Sequence, residues 1–392
     1  MRLVGLAILV IWMAACSSEK LEVVDQKKLA LQEAHRIDSL RLAIGADRKA
    51  AELKELILSK AKHGFNGNAL VAQSGIVLLD TAIGMASFED KIPLDRHSSF
   101  QLASISKTFT AVSILQLVEK GKLSLDLTVQ EYFPEFPYPG VTIRSLLSHR
   151  SGLPYYEYNF EQKARGEHVF PDNQLLMQWF ALADPKLKAF NLPDHYFSYN
   201  NTNFAILAAI VEKVTNEDFG HYLKKHIFQP LGMEESFVAR GLNESSLHRT
   251  YGYQRGRRVP FDTFDNILGD KGVFSSTHDL FKWYQALATG KVVSRDLLKE
   301  AFTPRSFEHP GLRNYGYGFR LWVNEKQKTD YIYHTGWWKG YNTIFFFDPK
   351  EDFLIVLLSN KYNRSVYNIR NIIEVLHSDE RSTSVEENIL DD

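Results

Sequence analysis

The sequence is poor in cysteine: 392 residues contain one, Cys16. No intrachain disulfide and no thiolate metal cluster can form from it. Neither sign of charge is in excess, with 46 Lys and Arg against 47 Asp and Glu and a formal net charge of −1. That balance excludes the basic footprint of a nucleic-acid partner. Paired histidines at metal-ligand spacing are absent, which argues against a metallohydrolase. An internal repeat is absent too. What the chain has is an ordinary globular composition, 44% hydrophobic and 24% charged. Its length suffices for one large domain or two smaller ones. The aromatic share of 13%, with Trp and Tyr concentrated late, fits either an aromatic-walled pocket or a well-filled core.

The cysteine takes its meaning from its place. Arg2 precedes the apolar run Leu3–Ala15, short for a bilayer span but right for the core of a signal peptide. Met13-Ala14-Ala15-Cys16 resembles the lipobox of bacterial lipoproteins, with Met13 where that pattern usually has Leu. The resemblance implies a signal peptide over 1–16, a lipid on Cys16 and a chain tethered to a membrane of the bacterial cell envelope. Residues 17–46, polar and charge-rich, then read as a stalk.

Asp47 can cap a helix running to His63-Gly64. Two strand-like runs, Asn68–Gln73 and Ile76–Ala82, meet at Ser74-Gly75 as a hairpin. Helical periodicity covers Ser104 to about Lys120, and further helices are expected at Asn203–Thr215 and Phe219–Ile227. The last third returns to strands at Tyr317–Val323, Tyr331–His334, Tyr341–Phe347 and Phe353–Ser359. A closing helix over Val366–His377 and an acidic, disordered tail over 379–392 follow. Strands at both ends with helices between predict an α+β domain over 47–378. One antiparallel sheet would be built from distant segments, flanked by terminal helices and carrying a mainly helical insertion at about 121–255.

Three stretches carry chemistry. Ser104-Ile105-Ser106-Lys107 matches S-x-x-K, and residues three apart share a helix face. A lysine there can take the proton of the serine. The pattern also occurs at Ser17/Lys20 and Ser59/Lys62, but only Ser104 opens a helix after strand and loop. Tyr199-Asn200-Asn201 is the only Y-x-N in the chain. A phenol can relay protons and an amide can contact a carbonyl. Taken alone, the same residues read first as a helix cap. His334-Thr335-Gly336, followed by Trp337, ends an expected strand where Gly lets a substrate approach the backbone. It also reads as a plain strand end.

Ser-x-x-Lys, Tyr-x-Asn and His-Thr-Gly in this order resemble class C β-lactamases, serine D,D-peptidases and their esterase-like penicillin-binding relatives. The resemblance extends through Phe65–Ala72, Phe100–Ala111, Val141–Pro154, Pro230–Met233 and Gly272–Ser276, and covers about residues 50–375. It implies a β-lactamase/transpeptidase-like fold and a serine hydrolase that needs no cofactor or metal. Ser104 would be acylated, Lys107 and Tyr199 would move protons, and Asn201, His334, Thr335 and Gly336 would bind substrate. The backbone N–H groups of Ser104 and Trp337 would form the oxyanion hole. His149 belongs to the resembling segment and is expected to be structural. Partners would be a small-molecule or peptide substrate and the membrane, with ester, amide, D-amino-acid peptide and β-lactam all candidates. Many relatives have Lys where His334 stands, so carboxylate capture is expected to be weaker and His334→Lys to improve it. A binder that keeps the cleft without turnover is the other reading, and the three intact motifs argue against it.

Overall fold

The computed structural model describes residues 28, 29, 31–183, 186–239, 248–261, 263–308 and 311–378. The expected signal peptide, Cys16 and the acidic tail 379–392 lie outside them. The chain divides into two compact units, Met1–Glu52 and Leu53–Asp392. The described part of the first is helical over 31–43 and in the opening turns of α1 (Ala46–Lys62), where Asp47 sits in the first turn, beside the positive end of the helix dipole. No helix among the described residues is long and apolar enough to cross a membrane.

The second unit is organised by a seven-stranded antiparallel sheet. Its strands are β1 (Gly67–Gln73), β2 (Ile76–Ile83), β3 (Arg313–Tyr315), β4 (Arg320–Val323), β5 (Thr329–Trp338), β6 (Tyr341–Asp348) and β7 (Phe353–Ser359), in the spatial order β3-β4-β5-β6-β7-β1-β2. N-terminal strands thus complete a sheet begun by C-terminal ones, with β1 pairing β7 from Gly67↔Ser359 to Gln73↔Phe353. The β1–β2 turn forms as the sequence predicts. Ser74 and Gly75 both take positive φ (51° and 75°), the twist that a two-residue hairpin requires. Every residue of β1, β6 and β7 is buried. Both faces of these strands are therefore covered, and that is why Phe353–Leu358 is continuously apolar rather than alternating.

Two expected strands change. The strand expected at Tyr317–Val323 begins only at Arg320, because a turn closed by Gly316 N–H donating to Phe319 O (2.9 Å) precedes it and joins it to β3. The strand holding His334 does not end at Gly336. It runs on to Trp338, because Gly336 and Trp337 continue the ladder opposite Thr343 and Asn342. The closing helix is also split, into a short turn at Arg364–Tyr367 and a helix at Arg370–Leu376, where Asn368 is extended.

The helices between the strands form the other layer. α2 (Ser106–Glu119) is buried from Ser106 to Leu117, its apolar residues interleaved with buried polar ones such as Thr108, Thr110 and Ser113, which places it in the centre of the domain. It packs against α4 (Asn201–Thr215), itself buried from Thr202 to Val211. Between them in the chain comes α3 (Tyr156–Glu167), and later α5 (Thr277–Thr289), which lies on β1 and β7.

Candidate active site

The nucleophile candidate sits where a small sheet meets α2. Phe100–Gln101 pairs with Val273–Ser275, and Leu102 N–H donates to Val273 O at 2.8 Å. The chain then turns sharply at Ala103, whose φ of +50° is unfavourable by about 1–2 kcal/mol. Ser104 occupies the 3-10 turn Ala103–Ile105 that leads into α2, and is only partly buried. Strand β5 packs directly on this turn. A Cβ at Gly336 would overlap both Leu102 O and Thr343 Oγ1 and lie 3.1 Å from Ala103 Cβ. Thr343 Oγ1 meanwhile donates to Leu102 O at 2.9 Å. Glycine is required here by close approach.

Lys107, one turn on, is fully buried. Its Nζ donates to Ser104 Oγ (2.9 Å), Asn201 Oδ1 (2.8 Å) and Asp270 O (2.9 Å). Three acceptors match the three hydrogens of an ammonium. Ser106, the neighbouring hydroxyl, is buried instead and accepts from Val273 N–H. Ser59 and Lys62 lie exposed on α1, while Ser17/Lys20 falls outside the described residues.

Tyr199-Asn200-Asn201 supplies both a helix cap and two residues of the groove wall. Asn200 caps α4, its side chain accepting from Thr202 N–H at 2.9 Å. The residues on either side face a groove of about 770 Å3 that Ser104, Thr335, Gly336 and Trp337 also line. The Tyr199 ring centre is 5.1 Å from Lys107 Nζ and 5.0 Å from the Arg320 guanidinium. Behind it stands His149, buried with its ring centre 4.4 Å from that of Tyr199. Its Nδ1 accepts from Asn200 N–H and Asn203 Nδ2. Burial, then the charge of Lys107, hold this imidazole well below its ordinary pKa. A neutral His149 supports the tyrosine from outside the groove.

His334 departs from expectation. Pleating puts Tyr333, Thr335 and Trp337 towards the groove, but His334 is fully buried and does not line it. Its Nδ1 is 2.8 Å from Thr335 O, which can only accept, so Nδ1 carries the hydrogen. Nε2 then accepts from Tyr315 OH at 3.2 Å. Burial, followed by Arg320 and Lys107, pushes its pKa far down. His334 is therefore a neutral, buried residue that packs behind the groove wall and does not line it. Charged residues of both signs line the groove, Arg165, Arg313, Arg320 and Arg364 together with Glu157 and Glu161, and Arg165 is ion-paired to Glu161. Sequence reading missed them. An arginine opening the otherwise apolar run Arg320–Val323 was the available signal.

A polar network around Lys107 was missed as well, with Glu157 on the groove wall beside Asn201 and with Tyr156, Asp270 and Lys271 buried. Asn201 Nδ2 donates to Glu157 Oε1 at 2.6 Å. Lys271 Nζ donates to Tyr156 OH (2.6 Å), which donates to Asp270 Oδ2 (3.0 Å), and Lys271 pairs with Asp270 at 3.2 Å. Burial, then the Asp270 charge, raise the Glu157 carboxyl. Adjacent opposite charges entering a buried strand at Asp270-Lys271-Gly272-Val273 were the only hint. Trp338 is held by Nε1–H donating to Asp265 (2.7 Å), and Trp337, 62% exposed, forms the lip with Tyr362. Among the described residues, one trio of metal-ligand type is found, Asp348, Glu351 and His377, and none of it lines the groove.

The family model described as Beta-lactamase matches residues 47–377. Penicillin-binding protein 4* of Bacillus subtilis is 35% identical, over 78% of this chain and 70% of its own. The putative penicillin-binding protein PbpX of the same organism is 28% identical, over 77% and 72%. Among solved structures, a penicillin-binding protein from Bacillus halodurans superposes with a TM-score of 0.71 at 27% identity, covering 82% of this chain and 98% of that one. The octameric penicillin-binding protein homologue from Pyrococcus abyssi gives 0.70 at 26% identity, over 84% and 76%.

Proposed function

The chain belongs to the beta-lactamase family, and from that premise we propose that it is a serine hydrolase working through an acyl-enzyme at Ser104. The observation that carries the reading is the 2.9 Å contact of Lys107 Nζ with Ser104 Oγ on a groove shared with Tyr199 and Asn201. In its neutral form Lys107 takes the Ser104 proton as Oγ attacks a carbonyl carbon. Backbone N–H groups of Ser104 and Trp337 receive the developing oxyanion, and Asn201 contacts the substrate. Lys107 hands that proton on to Tyr199 as the phenol delivers its own to the leaving group, and water releases the acyl group in a second step.

Esters, amides, D-amino-acid peptides and β-lactams all present the required carbonyl. The relatives' name, penicillin-binding, makes β-lactams candidates. The proposal includes a lipid on Cys16 that tethers the domain to the cell envelope. Radiolabelled palmitate incorporated by the wild type and lost in Cys16→Ala is the expected result there. For the chemistry, intact-mass spectrometry after exposure to nitrophenyl acetate should show an acyl adduct on the wild type and none on Ser104→Ala. Unchanged turnover in that variant refutes the assignment.

A further inference from the structure

The carboxylate of Glu157 has no place in the steps above, yet it is bonded to the amide that touches Lys107. Asn201 lies between two groups of opposite hydrogen-bonding character. Its Oδ1 accepts from Lys107 Nζ at 2.8 Å, and its Nδ2 donates to Glu157 Oε1 at 2.6 Å. Glu157 is fixed at the start of α3 by neighbours on the same path. Tyr156 N–H donates to Thr202 Oγ1 (3.0 Å), which donates to Pro154 O (2.8 Å), and Thr202 directly follows Asn201. The carboxylate and the amide are thereby clipped to one another by backbone as well as side chain.

This clip matters when Lys107 acts as a base. As an ammonium, Lys107 has only hydrogens to offer and selects the amide oxygen without help. Once neutral, it presents a lone pair. An Asn201 free to turn over would then donate Nδ2–H to that lone pair, which Ser104 needs for its proton. Resting on the Ser104 acyl-enzyme reading, we propose that Glu157 is a positioning residue that keeps the Asn201 amide from turning onto Lys107, leaving the lysine lone pair to Ser104. The atoms balance simply: the Ser104 proton moves to Lys107 Nζ while Asn201 Oδ1 remains an acceptor, and Glu157 exchanges nothing.

Three variants test it in the full chain, with nitrophenyl acetate as the acyl donor. Glu157→Leu should slow Ser104 acylation at least tenfold with KM changed less than threefold. Glu157→Gln retains an oxygen for Asn201 and should stay within threefold of wild type. In an Asn201→Ala background, Glu157→Leu should add no further loss, because its effect passes through the missing amide. Wild-type acylation by Glu157→Leu, or losses that multiply in the double variant, overturns the inference. A readout without turnover separates this from the hydrolase reading. The Asn201 side-chain amide proton, identified in NMR spectra by its loss in Asn201→Ala, should move upfield in Glu157→Leu and much less in Glu157→Gln. An unmoved resonance overturns the inference whatever the activity. A missing Ser104 adduct in the wild type, with the resonance moving as described, counts against the hydrolase reading while supporting the Glu157–Asn201 clip.

Discussion

Gly336 and Leu102 meet backbone to backbone, so closely that a Cβ on the glycine would overlap the Leu102 carbonyl oxygen. This contact sets the distance between β5 and the turn that presents Ser104. Gly336→Ala must push the two apart. We expect kcat/KM for an activated ester to fall by roughly 10²-fold, the scale of a misplacement of about 1 Å at a reacting centre. Activity within twofold of wild type, in a protein that melts normally, would remove Gly336 from the catalytic geometry.

Lys107 can serve as a base or merely as a charge. Lys107→Arg keeps the charge but cannot give up its proton at working pH. Acylation of Ser104 should therefore fall by about 10³-fold in Lys107→Arg, much as in Lys107→Ala. A rescue by arginine would leave only the electrostatic role.

The sequence alone suggested that His334→Lys would improve the handling of anionic substrates. The structure reverses that expectation. The imidazole is fully buried between Tyr315 OH and Thr335 O, so a lysine there would bury a charge against a hydroxyl and a carbonyl. The variant should lose about 3–5 kcal/mol in denaturant unfolding and gain no turnover of a β-lactam. Faster turnover with unchanged stability would put residue 334 in the groove after all.

His149 and His334 also predict how stability depends on pH. Both have folded pKa values depressed by burial, while in the unfolded chain they titrate near about 6.5. Above that value both states are neutral and the stabilisation is complete. As pH falls below it, the unfolded chain takes up protons that the folded one refuses. Stability should then drop by about 1.4 kcal/mol per pH unit for each histidine until the folded pKa is reached. Urea titrations between pH 7.5 and 5 should show a shallower loss in His334→Gln than in wild type. Equal slopes would mean that His334 is charged in the fold.

Legibility followed the range of the interaction. Ser104 and Lys107 were readable because three residues on a helix share a face whatever surrounds it. The β1–β2 hairpin was readable from Ser74-Gly75, and the β6–β7 pair from two apolar runs about a short polar turn. His334 was misjudged over a matter of parity. Whether a strand residue faces groove or core depends on which of its two faces the rest of the molecule covers. Strand β5 continues past Gly336 because Thr343 and Asn342 offer it partners, which no property of His334-Thr335-Gly336 announces.

From its own order of residues the chain already determines a serine at the entry to a helix with a lysine one turn away, and a family membership written in short contiguous motifs. Only tertiary structure decides what those motifs meet. Asp270 reaches Lys107 across 163 positions, and Glu157 reaches Asn201 across 44. Such pairings arise because the helical layer and the sheet must bury their apolar faces against each other. Burial on that scale is indifferent to which polar groups it brings together, so their partnership is settled by packing and cannot be read from local pattern.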